Sequence, residues 1–279
     1  MVYLDLSHKD PKELDLRLGG IIEIYEKFMG DDPRKIPMKI FPAVHYSMGG
    51  LWVDYNQMTN IPGLFAAGEC DYSIHGANRL GANSLVSSIF GGMVAGPKAL
   101  EYIQGLEQHA EDLSGSVYER EEGKERQRYE RLMRMDGKEN AYQIHRELGD
   151  EMTNNMTVVR HNKKLEGTLA KIGEWKERYA RIGASDTSTW NNQSVAFTRQ
   201  LWNMLTLAEA MTTGALLRNE SRGAHYKPEF PERDDEQFLK TTKAAYTPNG
   251  PRIDYEPVDV SLIPPRKRDY TTDKKKGGH

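Results

Sequence analysis

The sequence predicts a mixed α+β chain, and three observations carry that expectation. Strand-like pieces sit near the start, at residues 2 to 6 and 38 to 44. Glycines crowd the stretch from Met48 to Gly96, and from about Glu101 apolar residues recur at helical spacing. With 279 residues the chain is long enough for one large or two ordinary domains with a real core. No window approaches the roughly 18 consecutive apolar residues of a membrane span. The 38 Lys+Arg against 41 Asp+Glu leave a net charge of −3, which offers no global electrostatic argument for nucleic acid. A lone cysteine, Cys70, excludes an internal disulfide framework and a thiolate zinc cage; no metal site is expected, and the compartment reads as reducing. The first residues lack a basic region and a long apolar run, so no signal peptide is expected. They open in mid-pattern, as a chain starting inside a domain would.

The first helix is well punctuated. Asp10 stands as N-cap, Pro11 at the first helical position and Glu13 where it could complete a capping box; Leu14, Leu18, Ile21, Ile22, Tyr25 and Phe28 then form one stripe before Gly30. Pro33 and Pro37 end it, and Met38 to Val44 reads as a short strand delivering the chain to His45. In the glycine-rich stretch, short apolar pieces at Leu64 to Ala67 and Leu85 to Val94 imply either close approach of backbone to a ligand or tight loops in a packed fold. Residues 111 to 134 mix seven acids with six bases at spacings of three and four, which suits a solvated helix better than a nucleic-acid face. Further helices are expected at Glu139 to Leu148, Met156 to Arg181 and Ser194 to Arg218, making this half a helical bundle. After Pro228 the composition turns irregular. The basic tail from Pro264 to His279 reads as a frayed, soluble end that could also touch an acidic partner.

Three pieces carry the chemistry: His45-Tyr46-Ser47-Met48-Gly49-Gly50, Gly63-Leu64-Phe65-Ala66-Ala67-Gly68-Glu69, and His75-Gly76-Ala77-Asn78-Arg79-Leu80-Gly81-Ala82-Asn83-Ser84-Leu85. A short apolar strand ending in Gly-Glu is how a nucleotide-binding fold presents a carboxylate to ribose hydroxyls, which makes Glu69 a candidate. Ser84 can cap a helix running from Leu85, whose N-terminus offers amide donors to an anionic group. Arg79, just before that helix, carries a guanidinium fork that matches a carboxylate bidentately. His45 precedes a double glycine, where a side chain can project into a cavity while the backbone turns away.

In this order and spacing, the three pieces resemble the flavoprotein subunit of succinate dehydrogenase and fumarate reductase. Glu220-Ser221-Arg222-Gly223-Ala224-His225-Tyr226 and Pro231-Glu232-Arg233-Asp234-Asp235 extend the resemblance into that family's C-terminal helical domain. The resemblance implies the C-terminal part of a Rossmann-like FAD-binding domain with a capping-domain remnant, followed by a helical bundle. The implied division is 1–35 for the end of the capping domain, 36–103 for the FAD-binding contribution, 104–240 for the helical domain and 241–279 for an irregular tail. It also implies that His45 and Arg79 bind the dicarboxylate, that Glu69 contacts the FAD ribose, and that Ser84 and Leu85 meet the flavin through backbone groups. In that family succinate gives a hydride to the flavin and a proton to a protein base, and fumarate reduction runs the reverse; alignment of the substrate over the ring is the main device. His75 lies in the substrate motif and is not expected to carry a covalent flavin link. Cys70 reads as a buried spectator thiol.

No Gly-x-Gly-x-x-Gly occurs in the chain, and the family's proton-transferring Arg is expected before Met1, so the catalytic residue is not assigned here. The resemblance therefore implies the C-terminal portion of a longer FAD subunit, inactive as this piece alone. Its expected partners are succinate or fumarate, an iron–sulfur subunit and membrane-anchor subunits, with no nucleic acid and no span of its own. The expected place is the cytoplasmic side of the inner membrane, reached through those partner subunits. The rivals are an L-aspartate oxidase-like flavoenzyme and a non-catalytic assembly module docking on an iron–sulfur subunit.

Overall fold

The structure, a computed structural model, describes residues 1–41, 43–72 and 74–266. It is a mixed α+β fold in two compact units, Met1–Ser47 and Met48–His279. Of the basic tail, residues 267–279 lie outside the described residues.

In the first unit, strand β1 (Val2–Leu4) pairs antiparallel with β2 (Met38–Ile40), Val2 opposite Ile40, and helix α1 (Pro11–Met29) connects them. The Asp10 carboxylate accepts from the Lys12 amide, and Gly30, in the left-handed region at φ 75°, closes the helix by donating to the Glu26 carbonyl. Glu13 faces Arg17 at 3.2 Å. Of the expected stripe Leu14 and Ile22 are buried, whereas Ile21 and Phe28 face outward. Arg34 ties the returning chain to the helix through Asp15 and Glu26 and holds Asp32 beside it; that hydrogen bond keeps the Asp32 carboxyl well below the usual carboxylate range. The strand expected to reach Val44 ends at Ile40, where its pairing with the short β1 runs out.

In the second unit, residues 51 to 72 fold through isolated backbone bridges, Leu51 with Asp71, Val53 with Thr59 and Met58 with Phe65, around buried Val53 and Ala66. The strand expected at Leu64–Ala67 is thus a single bridge leading into a 3-10 turn at Gly68–Cys70. Helix α2 (Asn83–Gln104) follows, then the charged helix α3 (Gly115–Met133), whose pairs include Glu122–Arg126 and Glu125–Arg128 and which buries only Leu132.

Helices α4 (Ala141–Met156), α5 (Asn162–Tyr179) and α6 (Gln193–Leu217) form the bundle core. Asn140 and Asn192 cap α4 and α6. Ile144, Leu148, Ile172, Trp175, Ile182, Leu201 and Leu205 interlock in one cluster, and Met156, Leu165 and Ala215 form a second. Val159 falls outside α5, because the chain breaks between α4 and α5 where a helix from Met156 was expected. After the short helix α7 (Asp235–Phe238), the region 241–279, expected to be irregular, carries an antiparallel hairpin of β3 (Lys240–Ala245) and β4 (Arg252–Pro257), Lys240 opposite Pro257. The hairpin is anchored to the end of α6, where Arg218 Nε donates to Thr242 Oγ1 at 3.2 Å.

Candidate functional site

Glu69 stands exposed in the 3-10 turn that packs on the first turns of α2. The turn sits close because Gly68, at φ 87°, has no side chain; a Cβ there would lie 3.2 Å from Ser88 Oγ. Cys70, expected to be buried, is exposed at the end of this surface turn; it and Asp71 are held against Leu51 by backbone bonds of 2.7 Å (Leu51 N–H to the Cys70 carbonyl) and 3.2 Å (Tyr72 N–H to the Leu51 carbonyl). From the other side the C-terminal hairpin reaches in: Trp52 Nε1 donates to Glu256 Oε2 at 3.0 Å, and Lys243 Nζ donates to the same oxygen at 2.8 Å. The lysine holds the Glu256 carboxyl below its ordinary range, and burial pushes the neighbouring Tyr72 phenol up.

The segment leading to α2 carries His75 and Arg79. The His75 ring lies 3.1 Å from Ser87 Oγ, and the half-buried Arg79 donates from one terminal nitrogen to the Leu80 carbonyl at 3.0 Å. Ser84 does not cap the helix. Ala82 occupies the N-cap in the left-handed region at φ 65°, the helix starts at Asn83, and no side chain caps it. The tight entry at Ala82 starts the helix early and leaves Ser84 inside its first turn, with Leu85 beside it 76% exposed. An uncapped helix start, with an exposed carboxylate on a glycine turn packed against the same helix, is a donor and acceptor set that fits the polar edges of a flavin dinucleotide. The structure thus packs the turn bearing Glu69 against Ser88 and Gly91 of α2, keeps Ser84 and Leu85 in the first turn of that helix, and places Arg79 in the segment just ahead of it. His45 lies in the first unit, exposed on the irregular chain after β2.

The residues that sequence reasoning missed come from the far end of the chain. Ala224 N–H donates to the Ala77 carbonyl at 2.9 Å, and Gly223, at φ 59°, lies so near that a Cβ would fall 2.3 Å from that same oxygen. Behind this loop sits a buried polar knot. Glu220, fully buried, accepts from Arg218, Arg222 and the Asp234 amide, and Arg222 also reaches Asp235. The His225 ring bonds the Arg218 carbonyl through Nε2 at 2.9 Å and meets Arg160 at Nδ1. Burial pushes the imidazole down to about 4, so it is neutral at pH 7, Nε2 donating and Nδ1 accepting. Lys227, also fully buried, donates to the Leu216 carbonyl and Asn219 Oδ1, and burial lowers it to about 8. The signal within reach was the charged run around Gly223, whose small residues among Arg and His mark a close approach; its target, Ala77, has no signature of its own.

Among the described residues no group of three or more His, Cys, Asp or Glu is placed to hold a metal ion, and no helix is long and apolar enough to cross a membrane. A family model described as FAD binding domain matches residues 1–85, and one described as fumarate reductase flavoprotein C-term matches residues 145–270. The succinate dehydrogenase flavoprotein subunit of Bacillus subtilis is 66% identical over 98% of this chain and 47% of its own length. The fumarate reductase flavoprotein subunit of Haemophilus influenzae is 40% identical, over 97% of this chain and 45% of its own. A solved Escherichia coli quinol fumarate reductase chain, FrdA carrying a mutation, superposes with a TM-score of 0.88 at 38% identity, covering 95% of this chain and 45% of that one. The chain spans about half the length of the curated relatives it matches. It is a homologue of the succinate dehydrogenase and fumarate reductase flavoprotein subunits.

Proposed function

We propose that this chain forms part of an FAD-containing catalytic subunit that interconverts succinate and fumarate. The carrying observation is that one helix collects the candidates: the Glu69 turn packs on α2, Arg79 precedes it, and no side chain caps its first amides. Glu69 takes the FAD ribose hydroxyls, and the backbone of Ser84 and Leu85 takes the polar edge of the flavin. When bound, FAD supplies the acceptor and donor of the hydride. Arg79 grips a substrate carboxylate through its fork, fixing the dicarboxylate for transfer, which is positioning rather than covalent catalysis. His45, by its motif, is a further carboxylate ligand.

The partners are an iron–sulfur subunit that takes the electrons and membrane-anchor subunits that hold the complex peripherally on the cytoplasmic side of the inner membrane. The division into 1–35, 36–103, 104–240 and a final segment from 241 goes with this reading, the last segment now including the hairpin.

The test uses the full-length flavoprotein. Arg79→Ala should cost about 100-fold or more in succinate turnover with an artificial acceptor while flavin absorbance is retained. Unchanged kinetics would remove Arg79 from the site, and oxidation of aspartate in place of succinate would reassign the substrate.

A further inference from the structure

We propose that the loop at Gly223-Ala224 positions Arg79, setting the fit of the site for a dicarboxylate from 146 residues further along the chain, counted from Ala77 to Gly223. The inference rests on the assignment of Arg79 as a substrate ligand.

Two observations join the loop to the arginine's segment. The Ala224 amide donates to the Ala77 carbonyl, two residues before Arg79. Gly223 packs so closely that a Cβ would sit 2.3 Å from the Ala77 oxygen, 2.6 Å from its carbonyl carbon and 2.9 Å from its Cβ. These atoms are backbone or a rigid methyl, so something must shift if a side chain is added.

The two sides of this contact differ in stiffness. On the loop side, Arg222 and His225 bond each other's backbone at 2.8 and 3.0 Å, and the Ser221 amide donates to the Glu232 carbonyl at 3.1 Å. Ser221 Oγ reaches the Phe230 carbonyl at 2.7 Å, and the carbonyl of Tyr226, the residue after His225, accepts from the Arg160 amide at 3.0 Å. Glu220 and His225 lock the same loop from beneath through Arg218, Arg222 and Arg160. On the other side, Gly76, Ala77 and Asn78 are exposed turn residues. A clash at this contact is relieved by the softer side, so the segment bearing Arg79 moves. A displacement on the order of 1 Å at a substrate-orienting residue is enough to cost about a hundredfold in catalytic efficiency.

The test compares two glycine variants in the full-length flavoprotein complex. Both replace a residue in the left-handed region, Gly223 at φ 59° and Gly250 at φ 107°, the second in the turn of the β3–β4 hairpin. Gly223→Ala should raise the KM for succinate by about tenfold or more, with flavin content unchanged. Gly250→Ala should leave that KM within about twofold, because its strain is not transmitted to Ala77. An unchanged KM in Gly223→Ala, or an equal rise in Gly250→Ala, would overturn the proposal. If Gly223→Ala does not accumulate as folded complex, His225→Gln takes its place, with an expected KM rise of about threefold and flavin retained; no rise overturns the proposal. A wild-type complex inert toward succinate and fumarate would overturn the functional reading and this inference with it, a result distinct from an active wild type with an indifferent Gly223→Ala.

Discussion

The loop from Arg218 to Asp235 and the first half of α2 belong to the same unit and treat water in opposite ways. The loop is rich in charge, yet Glu220 and Lys227 are fully buried, each with named hydrogen-bond partners. Helix α2 is apolar, yet Leu85, Val86, Ile89, Phe90 and Met93 stand between 57% and 76% exposed, and only Ser87 and Gly91 in the helix are buried. The comparison teaches that residue hydrophobicity alone does not decide burial here. A charge goes inside where hydrogen-bond partners meet it, and an exposed apolar face is the kind of surface that a ligand or another polypeptide covers.

The comparison can be broken most forcefully at the buried carboxylate. Glu220→Ala removes the buried carboxylate that Arg218 and Arg222 share, leaving them only their other partners, and should cost about 3 kcal/mol, read from denaturant unfolding; a negligible loss would mean the knot is decoration. Leu201→Ala, in the bundle core, should cost about 2–5 kcal/mol by the same measurement. The third effect is a pH dependence. Burial holds folded His225 at about 4 against an ordinary 6.5, so between those values the unfolded chain binds the extra proton. Stability is therefore fullest above pH 6.5 and falls as pH drops toward 4. His225→Gln should flatten that part of the profile, and a variant with an unaltered slope would remove the ring from the account. Leu85→Ala should change stability by no more than about 0.5 kcal/mol. A loss matching that of Leu201→Ala would show that the open face of α2 is packed after all.

Local signals carried much of the fold. Asp10, Pro11 and Gly30 punctuate α1 at the residues where it begins and ends, and the stripe through Leu201, Leu205 and Ala208 marks the inner face of α6. What escaped was set by contacts between distant residues. The β3 strand, Lys-Thr-Thr-Lys-Ala-Ala, has no apolar alternation, because it is only half buried and is held by pairing with β4 and by Arg218. Ser84 has the chemistry of a cap, but the left-handed turn at Ala82 decides where the helix starts. In the candidate site, Glu69 and Arg79 stood out by type and spacing. Gly223 did not, since its role is to leave room for a carbonyl that no sequence window connects to it.

The bond between Trp52 and Glu256 spans 204 residues, and its consequence lies in time. During synthesis the glycine-rich stretch leaves the ribosome before the hairpin that grips Trp52 and the loop that meets Ala77. The helices α4 to α6 pack on neighbours near in sequence and can close first. The stretch bearing Glu69 and Arg79 therefore waits for these two contacts until the hairpin and the Gly223 loop have been made.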